Sequence, residues 1–283
     1  MLASLIIVFR EVLEASLVIG IVMAASRGVP RRGAWILGGC ALGVLGACIV
    51  AGFAGEISSL VDGVGQELFN AAILLAAVAM LAWHNIWMSQ HGRELAASAR
   101  RLGKDVIDGT RPLTALALVC GIALLREGSE VVLFLYGIAV SGGASAGSML
   151  LGGLVGCALG LAVGVALYAG LIFIPLRHLF RVTGALILLL AAGMASQAAI
   201  YLAAANVLPT LGNRIWDSSA LLSETSLPGQ LLHILAGYTA RPAGIQLVFF
   251  VATLVLISAG SWFATRPPRV IAGATPVTGQ APS

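Results

Sequence analysis

Residues 10–14 read Arg-Glu-Val-Leu-Glu and lie inside the first long apolar run of the chain. Residues 126–130 read Arg-Glu-Gly-Ser-Glu and lie inside the fourth such run. Each stretch places one arginine and two glutamates among side chains that are suited to lipid. Burying an ionisable side chain at that depth costs about 3 kcal/mol or more. The same pattern in two separate runs therefore indicates a functional site inside a membrane.

The composition supports this interpretation. Of the 283 residues, 59% are hydrophobic and only 10% are charged, whereas soluble proteins carry about 25% charged residues. The net charge of +4 does not indicate nucleic-acid binding, because the basic residues lie in short loops between apolar runs. The four cysteines include no Cys-x-x-Cys pair, so they predict neither a disulfide framework nor a zinc site.

Seven apolar stretches are long enough for a membrane-spanning helix, which needs about 20 residues. They predict an all-α, polytopic membrane protein whose transmembrane domain covers residues 1–264. The predicted spans are 2–25, 33–54, 67–89, 113–140, 146–174, 178–205 and 243–264. Residues 90–111 are expected to form a short interfacial helix on anionic lipid. The tail 265–283, rich in Pro, Gly, Thr and Ala, is expected to be disordered.

The distribution of basic residues predicts the orientation. Twelve of the 16 lysines and arginines fall in loops 26–32, 90–112 and 175–181 or in the tail, all on one side of the predicted spans. By the positive-inside rule this side is cytoplasmic, so the N-terminus lies outside and the C-terminus inside. The opposite side includes the long loop 206–241. Its acidic residues Asp217 and Glu224 are expected to attract cations.

The spacing of the two motifs predicts an inverted repeat. Glu11 and Glu127 are 116 residues apart, with three predicted spans between the start of one copy and the next. Three is odd, so repeat two (113–205) would enter the membrane opposite to repeat one (1–89), with helix seven (243–264) outside the repeat. Secondary transporters often use such repeats and bind substrate between them near the membrane midplane.

Depth along the two spans places both motifs near the midplane. At 1.5 Å per residue, Glu11 and Glu130 lie about 14–15 Å below the outer surface, and Glu14 and Glu127 about 18–20 Å below it. Antiparallel packing predicts Glu11 beside Glu130 and Glu14 beside Glu127. A two-fold axis between the repeats would exchange Glu11 with Glu127 and Glu14 with Glu130, which is compatible with that packing. The four carboxylates would then form two layers.

Clustered carboxylates suit multivalent cations, and Arg10 and Arg126 can orient them by hydrogen bonds. A buried ion-pair network is an alternative interpretation, but it does not explain the second glutamate of each motif or the resulting charge of −2. A proton relay is a further alternative, because membrane carboxylates also carry protons. No catalytic motif is present, so we predict neither an enzyme nor an organic cofactor.

The end of the third span carries other potential ligands. His84, Met88 and His91 lie on one helix face at i, i+4 and i+7. They could pass a softer divalent ion toward the cytoplasm. The interpretation that we favour is an interfacial belt, with Trp83 and Trp87 at the headgroups.

The doubled motif resembles that of the oxidase-dependent iron permeases, the iron/lead transporter family. Residues 9–20, FREVLEASLVIG, are similar to the first family motif, and residues 125–134, LREGSEVVLF, are similar to the second. Residues 216–219 and 237–242 resemble the outer loop and the entry to span seven in bacterial EfeU-type members. Val12 departs from the common form Arg-Glu-Gly-x-Glu, which affects packing more than ligands.

The resemblance implies high-affinity iron import across the cytoplasmic (inner) membrane. Its proposed iron ligands correspond here to Glu11, Glu14, Glu127 and Glu130. It also implies an iron-oxidising partner outside the membrane, such as a cupredoxin-like protein, a haem peroxidase or a multicopper oxidase. We therefore predict an iron permease for ferric or ferrous iron, with ferric preferred for the hard ligands. Transport of protons, lead or another divalent metal through the same motifs is the alternative.

Overall fold

A computed structural model describes residues 1–59, 65–141, 145–170, 176–212, 214–223 and 226–264. Within these ranges the chain forms helices and no strand. The helices are α1 (Leu2–Ala25), α2 (Arg32–Ser59), α3 (Gln66–Ile107), α4 (Thr114–Val140), α5 (Ala146–Tyr168), α6 (Leu176–Ala204), α7 (Leu227–Ala236) and α8 (Gly244–Ala264). Each of the seven predicted helices is present. The predicted tail, 265–283, lies outside the described residues.

Five helices are long and apolar enough to cross a membrane: α2, α3, α5, α6 and α8. Helices α1 and α4 have comparable lengths of 24 and 27 residues, but each carries three charged residues. Large apolar side chains point away from the protein, including Leu37, Phe53 and Leu256, which are about two-thirds exposed. A soluble protein rarely shows apolar patches of this extent, so this surface is suited to a bilayer.

The two motif-bearing helices lie at the centre of the bundle. Helix α1 packs mainly along α5, α4 packs mainly along α2, and α1 and α4 also contact each other. Glycines make the two main pairings close. A Cβ on Gly156 of α5 would lie 2.5 Å from the carbonyl oxygen of Leu5 on α1, and a Cβ on Gly43 of α2 would lie 2.5 Å from that of Gly121 on α4. Small residues allow such close approach between membrane helices.

Helix α3 differs from the prediction, because it continues unbroken for 42 residues. The segment 90–111 was expected as a separate helix on lipid. Instead, most of it extends α3, and its apolar face covers protein, since Ala99, Leu102 and Val106 pack against Val22 and Leu116. The amphipathic pattern of this segment therefore predicted a helix correctly, but its apolar face packs against neighbouring helices and not against lipid.

The long loop 206–241 contains a helix that the sequence analysis did not predict. Helix α7 begins after Ser226, whose hydroxyl accepts a hydrogen bond from the Gly229 amide at 3.1 Å. It ends at Gly237, which adopts a left-handed conformation with φ of 62°. A serine N-cap, a proline in the first turn and a terminal glycine are ordinary helix boundary signals. The local sequence contained them, but the ten-residue helix is too short to span a membrane.

Candidate metal centre

The two motifs meet in the interior of the protein. Glu11, Glu14, Glu127 and Glu130 are each at most 8% exposed. Glutamates three residues apart lie on one helix face, so each central helix turns both of its carboxylates toward the other. The structure therefore brings together the four glutamates that the sequence analysis singled out.

An arginine of each motif neutralises part of this charge. Arg10 Nε lies 2.9 Å from Glu14 Oε1, and Arg126 Nε lies 3.1 Å from Glu130 Oε1. Both pairs have i, i+4 spacing on their helix. Arg10 is buried, whereas about a third of the Arg126 side chain is exposed. The Arg126 guanidinium also lies over the ring of Trp87, 4.7 Å from its centroid, an arrangement typical of a cation–π contact.

His84 lies between the motifs. Its Nε2 is 3.1 Å from Glu14 Oε2, and its Nδ1 is 2.5 Å from Glu130 Oε2. The side chain is 1% exposed, whereas the neighbouring Trp83 is 71% exposed. The favoured interpretation of His84 as part of an interfacial belt is therefore wrong. Trp83, in contrast, has the outward position that a belt requires.

A signal in the sequence could have located His84. Leu74, Ala77, Leu81 and His84 follow a spacing of three or four residues, and all four are at most 1% exposed. That spacing defines one face of a helix. The histidine continues the buried face of α3, so its membership of the core could be read from periodicity. Its partners could not, because they lie on two other helices.

The carboxylates of the two motifs lie close to one another. Glu11, Glu127 and Glu130 each place a carboxylate oxygen within 4.8 Å of the others, and Glu14 and Glu130 share the His84 ring. Glu11 therefore lies near Glu130, as depth along the spans predicted, and also near Glu127, its equivalent in the second motif. The prediction from depth did not include the side chain from α3 that joins Glu14 with Glu130.

The geometry is suited to a multivalent cation. Glu11, His84, Glu127 and Glu130 each offer one ligand atom, and these atoms all lie within 4.8 Å of one another. Among the described residues, Glu11 Oε2 and Glu127 Oε2 are buried without a hydrogen-bond partner. Four carboxylates and two guanidinium groups carry a formal charge of −2 when His84 is neutral. Buried charge of this kind needs a compensating cation or proton.

The remaining predicted residues lie apart from this cluster or outside the described side chains. The side chains of Met88 and His91, and residue Glu224, fall outside the described residues. Asp217 is exposed in the loop, where Arg241 Nε lies 2.9 Å away and Arg214 Nη1 3.8 Å away. Hydrogen bonds from Ser219, together with Arg241, lower the pKa of Asp217 to about 2. Its charge is thus largely engaged within the loop.

Comparisons with known proteins agree with the chemistry of this cluster. The chain matches the iron permease FTR1 family over residues 1–265. It is 32% identical to the ferrous iron permease EfeU of Shigella sonnei and to that of Escherichia coli O157:H7, covering 97% of this chain and 98% of each relative. It is 30% identical to the protein of the same name from Yersinia pestis, covering 96% of both chains. No solved structure matches the chain. The chain therefore belongs to the iron permease FTR1 family, and it is a membrane transporter of iron rather than an enzyme.

Proposed function

We propose that this protein imports iron across the cytoplasmic membrane through the cluster formed by the two motifs. The observation that carries the proposal is the convergence of Glu11, His84, Glu127 and Glu130 at one buried point. In this arrangement these four residues are the iron ligands. Glu14 orients the ring by accepting a hydrogen bond from His84 Nε2, and Arg10 in turn holds Glu14. A carboxylate behind a ligating histidine is common in metal sites.

We propose ferrous iron as the ion that is carried. The sequence analysis preferred ferric iron because carboxylates are hard ligands. His84 adds a borderline nitrogen ligand at the centre of the cluster, and imidazole suits divalent iron. The relatives are also named ferrous iron permeases. The iron-oxidising partner expected from the resemblance, a cupredoxin-like protein, a haem peroxidase or a multicopper oxidase, belongs to the ferric alternative.

The packing of glycines supports seven membrane spans arranged as two inverted three-helix repeats plus α8. Each residue of α1 corresponds to the residue of α4 that lies 116 positions later, and each residue of α2 to the residue of α5 that lies 113 positions later. With this correspondence, the contacts between α2 and α4 recur between α5 and α1. The contact of Gly39 with Ala117 corresponds to that of Gly152 with Met1, Gly43 with Gly121 to Gly156 with Leu5, and Ala47 with Gly128 to Gly160 with Val12. Exchange of iron between the two sides would then follow from movement of one repeat against the other.

A proton relay is the second candidate, and one observation favours it. Carboxylate oxygens of Glu11 and Glu127 lie within 4.8 Å of each other, and two adjacent carboxylates repel each other unless a proton or a cation lies between them. The same pair therefore fits either a proton carrier or a metal site that is protonated when empty. Ion flux distinguishes the two.

Transport by the purified protein in liposomes tests both candidates. Iron entry is followed with an internal chelating dye, using ascorbate-reduced Fe²⁺ or ferric citrate, and proton entry with a pH-sensitive dye. Glu127→Gln keeps the side-chain size but removes the charge, and we expect iron flux to fall about 10- to 100-fold. Glu94→Gln, an exposed position on α3, is the matched control and should transport normally.

Three results would contradict parts of the proposal. Iron flux through Glu127→Gln equal to that of the unmodified protein would remove the cluster from the pathway. Proton flux without any iron flux in the unmodified protein would favour the relay. Faster flux with ferric citrate than with Fe²⁺ would return the preference to ferric iron and to a partner that supplies it.

A further inference from the structure

A small cavity, separate from the carboxylate cluster, lies at the end of the bundle where α1 begins and α4 ends, which the positive-inside rule assigns to the outer side. Its volume is about 40 Å³, and one water molecule occupies about 30 Å³ in the liquid. Met1, Ser141, Gln197 and His233 are among the residues that line it. The cavity is therefore large enough for one cation with a water ligand, and it offers nitrogen and oxygen atoms.

His233 is held in the form that binds metals. Its Nδ1 lies 2.7 Å from the carbonyl oxygen of Tyr238. A carbonyl oxygen only accepts hydrogen bonds, so Nδ1 carries the proton and the neutral ring keeps its lone pair on Nε2. Histidines that bind metal commonly donate their other ring N–H to a backbone carbonyl, which fixes the tautomer and the ring orientation.

Gln197 occupies the position in α6 that corresponds to His84 in α3. The buried apolar residues of the two helices correspond at a separation of 113 residues, and the same separation relates His84 to Gln197. The corresponding apolar pairs are Leu74 with Ile187, Ala77 with Leu190, and Leu81 with Met194. Thus the equivalent position of each helix carries a polar side chain: His84 contacts the carboxylates, and Gln197 lines the outer cavity.

An apolar layer separates this cavity from the carboxylate cluster. Ile7 lies one helical turn from Glu11, and Phe134 lies one turn from Glu130; both are fully buried. They belong to the same apolar core as Ala3 and Ile138, which line the cavity. Ala3 and Glu11 are about 12 Å apart along α1. The cavity is therefore a separate site on the outer side of a closed apolar barrier.

We propose that this cavity is an outer binding station for a divalent transition-metal ion, with His233 Nε2 and the Gln197 carbonyl oxygen as ligands. On the basis of the proposed function, the ion is Fe²⁺, which binds in this cavity before it moves to the carboxylate cluster. None of the described residues that line the cavity is acidic, so the station binds more weakly than the cluster. Weak binding at entry lets the ion leave toward a tighter site. The nitrogen ligand favours divalent iron over magnesium or calcium, which prefer oxygen.

The test uses Co²⁺, whose visible absorption reports its ligands, with the full-length protein in lipid nanodiscs. The double variant Glu11→Gln/Glu127→Gln disables the carboxylate cluster and should still bind Co²⁺ at one site. In that background His233→Ala should weaken Co²⁺ binding about tenfold or more. Gln197→Glu should tighten it, since a carboxylate replaces a neutral amide beside the ion. Ser196→Ala, at the neighbouring position of α6, is the matched control and should leave binding unchanged.

The outcomes separate this proposal from the function of the cluster. We expect Gln197→Glu to increase the affinity for Co²⁺, and misfolding of the variant could not produce such an increase. Unchanged Co²⁺ affinity in both His233→Ala and Gln197→Glu would contradict the proposed metal site in the outer cavity. The loss of all Co²⁺ binding in the double variant would contradict it as well. Fe²⁺ flux that survives Glu127→Gln would instead overturn the transport role of the cluster, while the Co²⁺ result at His233 would stand.

Discussion

At the scale of single residues, His84 adds a nitrogen donor to the carboxylate cluster. Among the described residues it is the histidine of this cluster, and it connects the two motifs by contacting Glu14 and Glu130. Removing one member of a buried charged network costs about 3–5 kcal/mol, because its partners are left uncompensated. In the proposed function, the histidine both orients the carboxylates and favours divalent iron at the site.

Replacement of His84 tests this role. We expect His84→Ala to reduce iron uptake by cells about 10- to 100-fold, and His84→Gln to restore part of it by replacing one hydrogen bond. Uptake of radioactive iron is measured in cells that lack other importers, normalised to the amount of protein in the membrane. Trp83→Leu, at the adjacent lipid-facing position, serves as the control. Normal uptake by His84→Ala would exclude the ring from the pathway.

Asp217 predicts a pH dependence that belongs to the loop and not to the cluster. The Ser219 hydroxyl and amide lie 2.5 Å and 3.0 Å from Asp217 Oδ1, and with Arg241 they lower its pKa from 3.8 to about 2. A lowered carboxyl pKa stabilises the folded form above the unfolded value, and the effect is lost as the pH falls toward the folded value. The loop should therefore be unaffected between pH 8 and 5.

The pH effect is measured by hydrogen exchange of the Ser219 amide, corrected for the intrinsic rate at each pH. We expect protection to be constant at neutral pH and to fall between about pH 4 and 2. Asp217→Asn should lower protection already at pH 7, since it removes the ion pair with Arg241. Protection that declines between pH 7 and 5 in the unmodified protein would show that another group holds the loop.

At the scale of elements, two close helix pairs support the central helices. Helix α5 approaches α1, and α2 approaches α4, through glycines whose Cα hydrogens replace a side chain at the contact. The spacing of the glycines along α2 and α5 is typical of ordinary membrane helix packing. The structure adds that each series faces a motif-bearing helix. The backbone of α1 and α4, and with it the spacing of the glutamates, therefore depends on these contacts.

Two neighbouring glycines of α5 give a matched test of this dependence. A Cβ on Gly156 would lie 2.5 Å from the Leu5 carbonyl oxygen, whereas a Cβ on Gly153 would meet only Val8 Cγ2 at 3.8 Å. We expect Gly156→Ala to destabilise the protein by about 1–3 kcal/mol, because backbone atoms must separate. Gly153→Ala should change stability by less than about 0.5 kcal/mol. Thermal unfolding in detergent measures both, and equal melting temperatures would contradict the proposed contact.

At the scale of the whole molecule, orientation relates the two sites to transport. The basic loops predict that α1 begins outside and α8 ends in the cytoplasm. With that orientation the outer cavity precedes the carboxylate cluster along the route of import. The described part of the chain contains the helices that this topology requires, and the orientation itself is a prediction from charge.

Cysteine labelling checks the orientation. In a variant whose four native cysteines are replaced by alanine, Leu221→Cys places a thiol at a position that is 92% exposed in the predicted outer loop. Ile107→Cys, half-exposed at the end of α3, lies on the predicted cytoplasmic side. A membrane-impermeant maleimide added to intact spheroplasts should label position 221 at once and position 107 only after lysis. The reverse result would invert the topology and the proposed direction of entry.

Much of the architecture follows from the sequence because the membrane restricts the possible structures. A spanning segment must satisfy its backbone hydrogen bonds internally, so seven apolar runs predicted seven helices, and all seven are present, most of them with ends close to those expected. The exceptions have local reasons. Helix α3 extends to Ile107 because protein, and not lipid, covers Ala99 and Leu102. Helix α7 was not predicted because its ten residues are too few to form a membrane span.

The sequence was sufficient to single out the arginines and glutamates of the two motifs, since ionisable side chains inside an apolar helix are costly to bury. Their neighbours, in contrast, depend on the tertiary arrangement. Glu11 lies within 4.8 Å of Glu127 and Glu130, and His84 enters from α3 to join Glu14 with Glu130. Depth along a helix follows from residue number, but rotation and the approach of a third helix depend on packing between segments that are distant in the chain. For that reason the glutamates were predictable, and the ring between them was not.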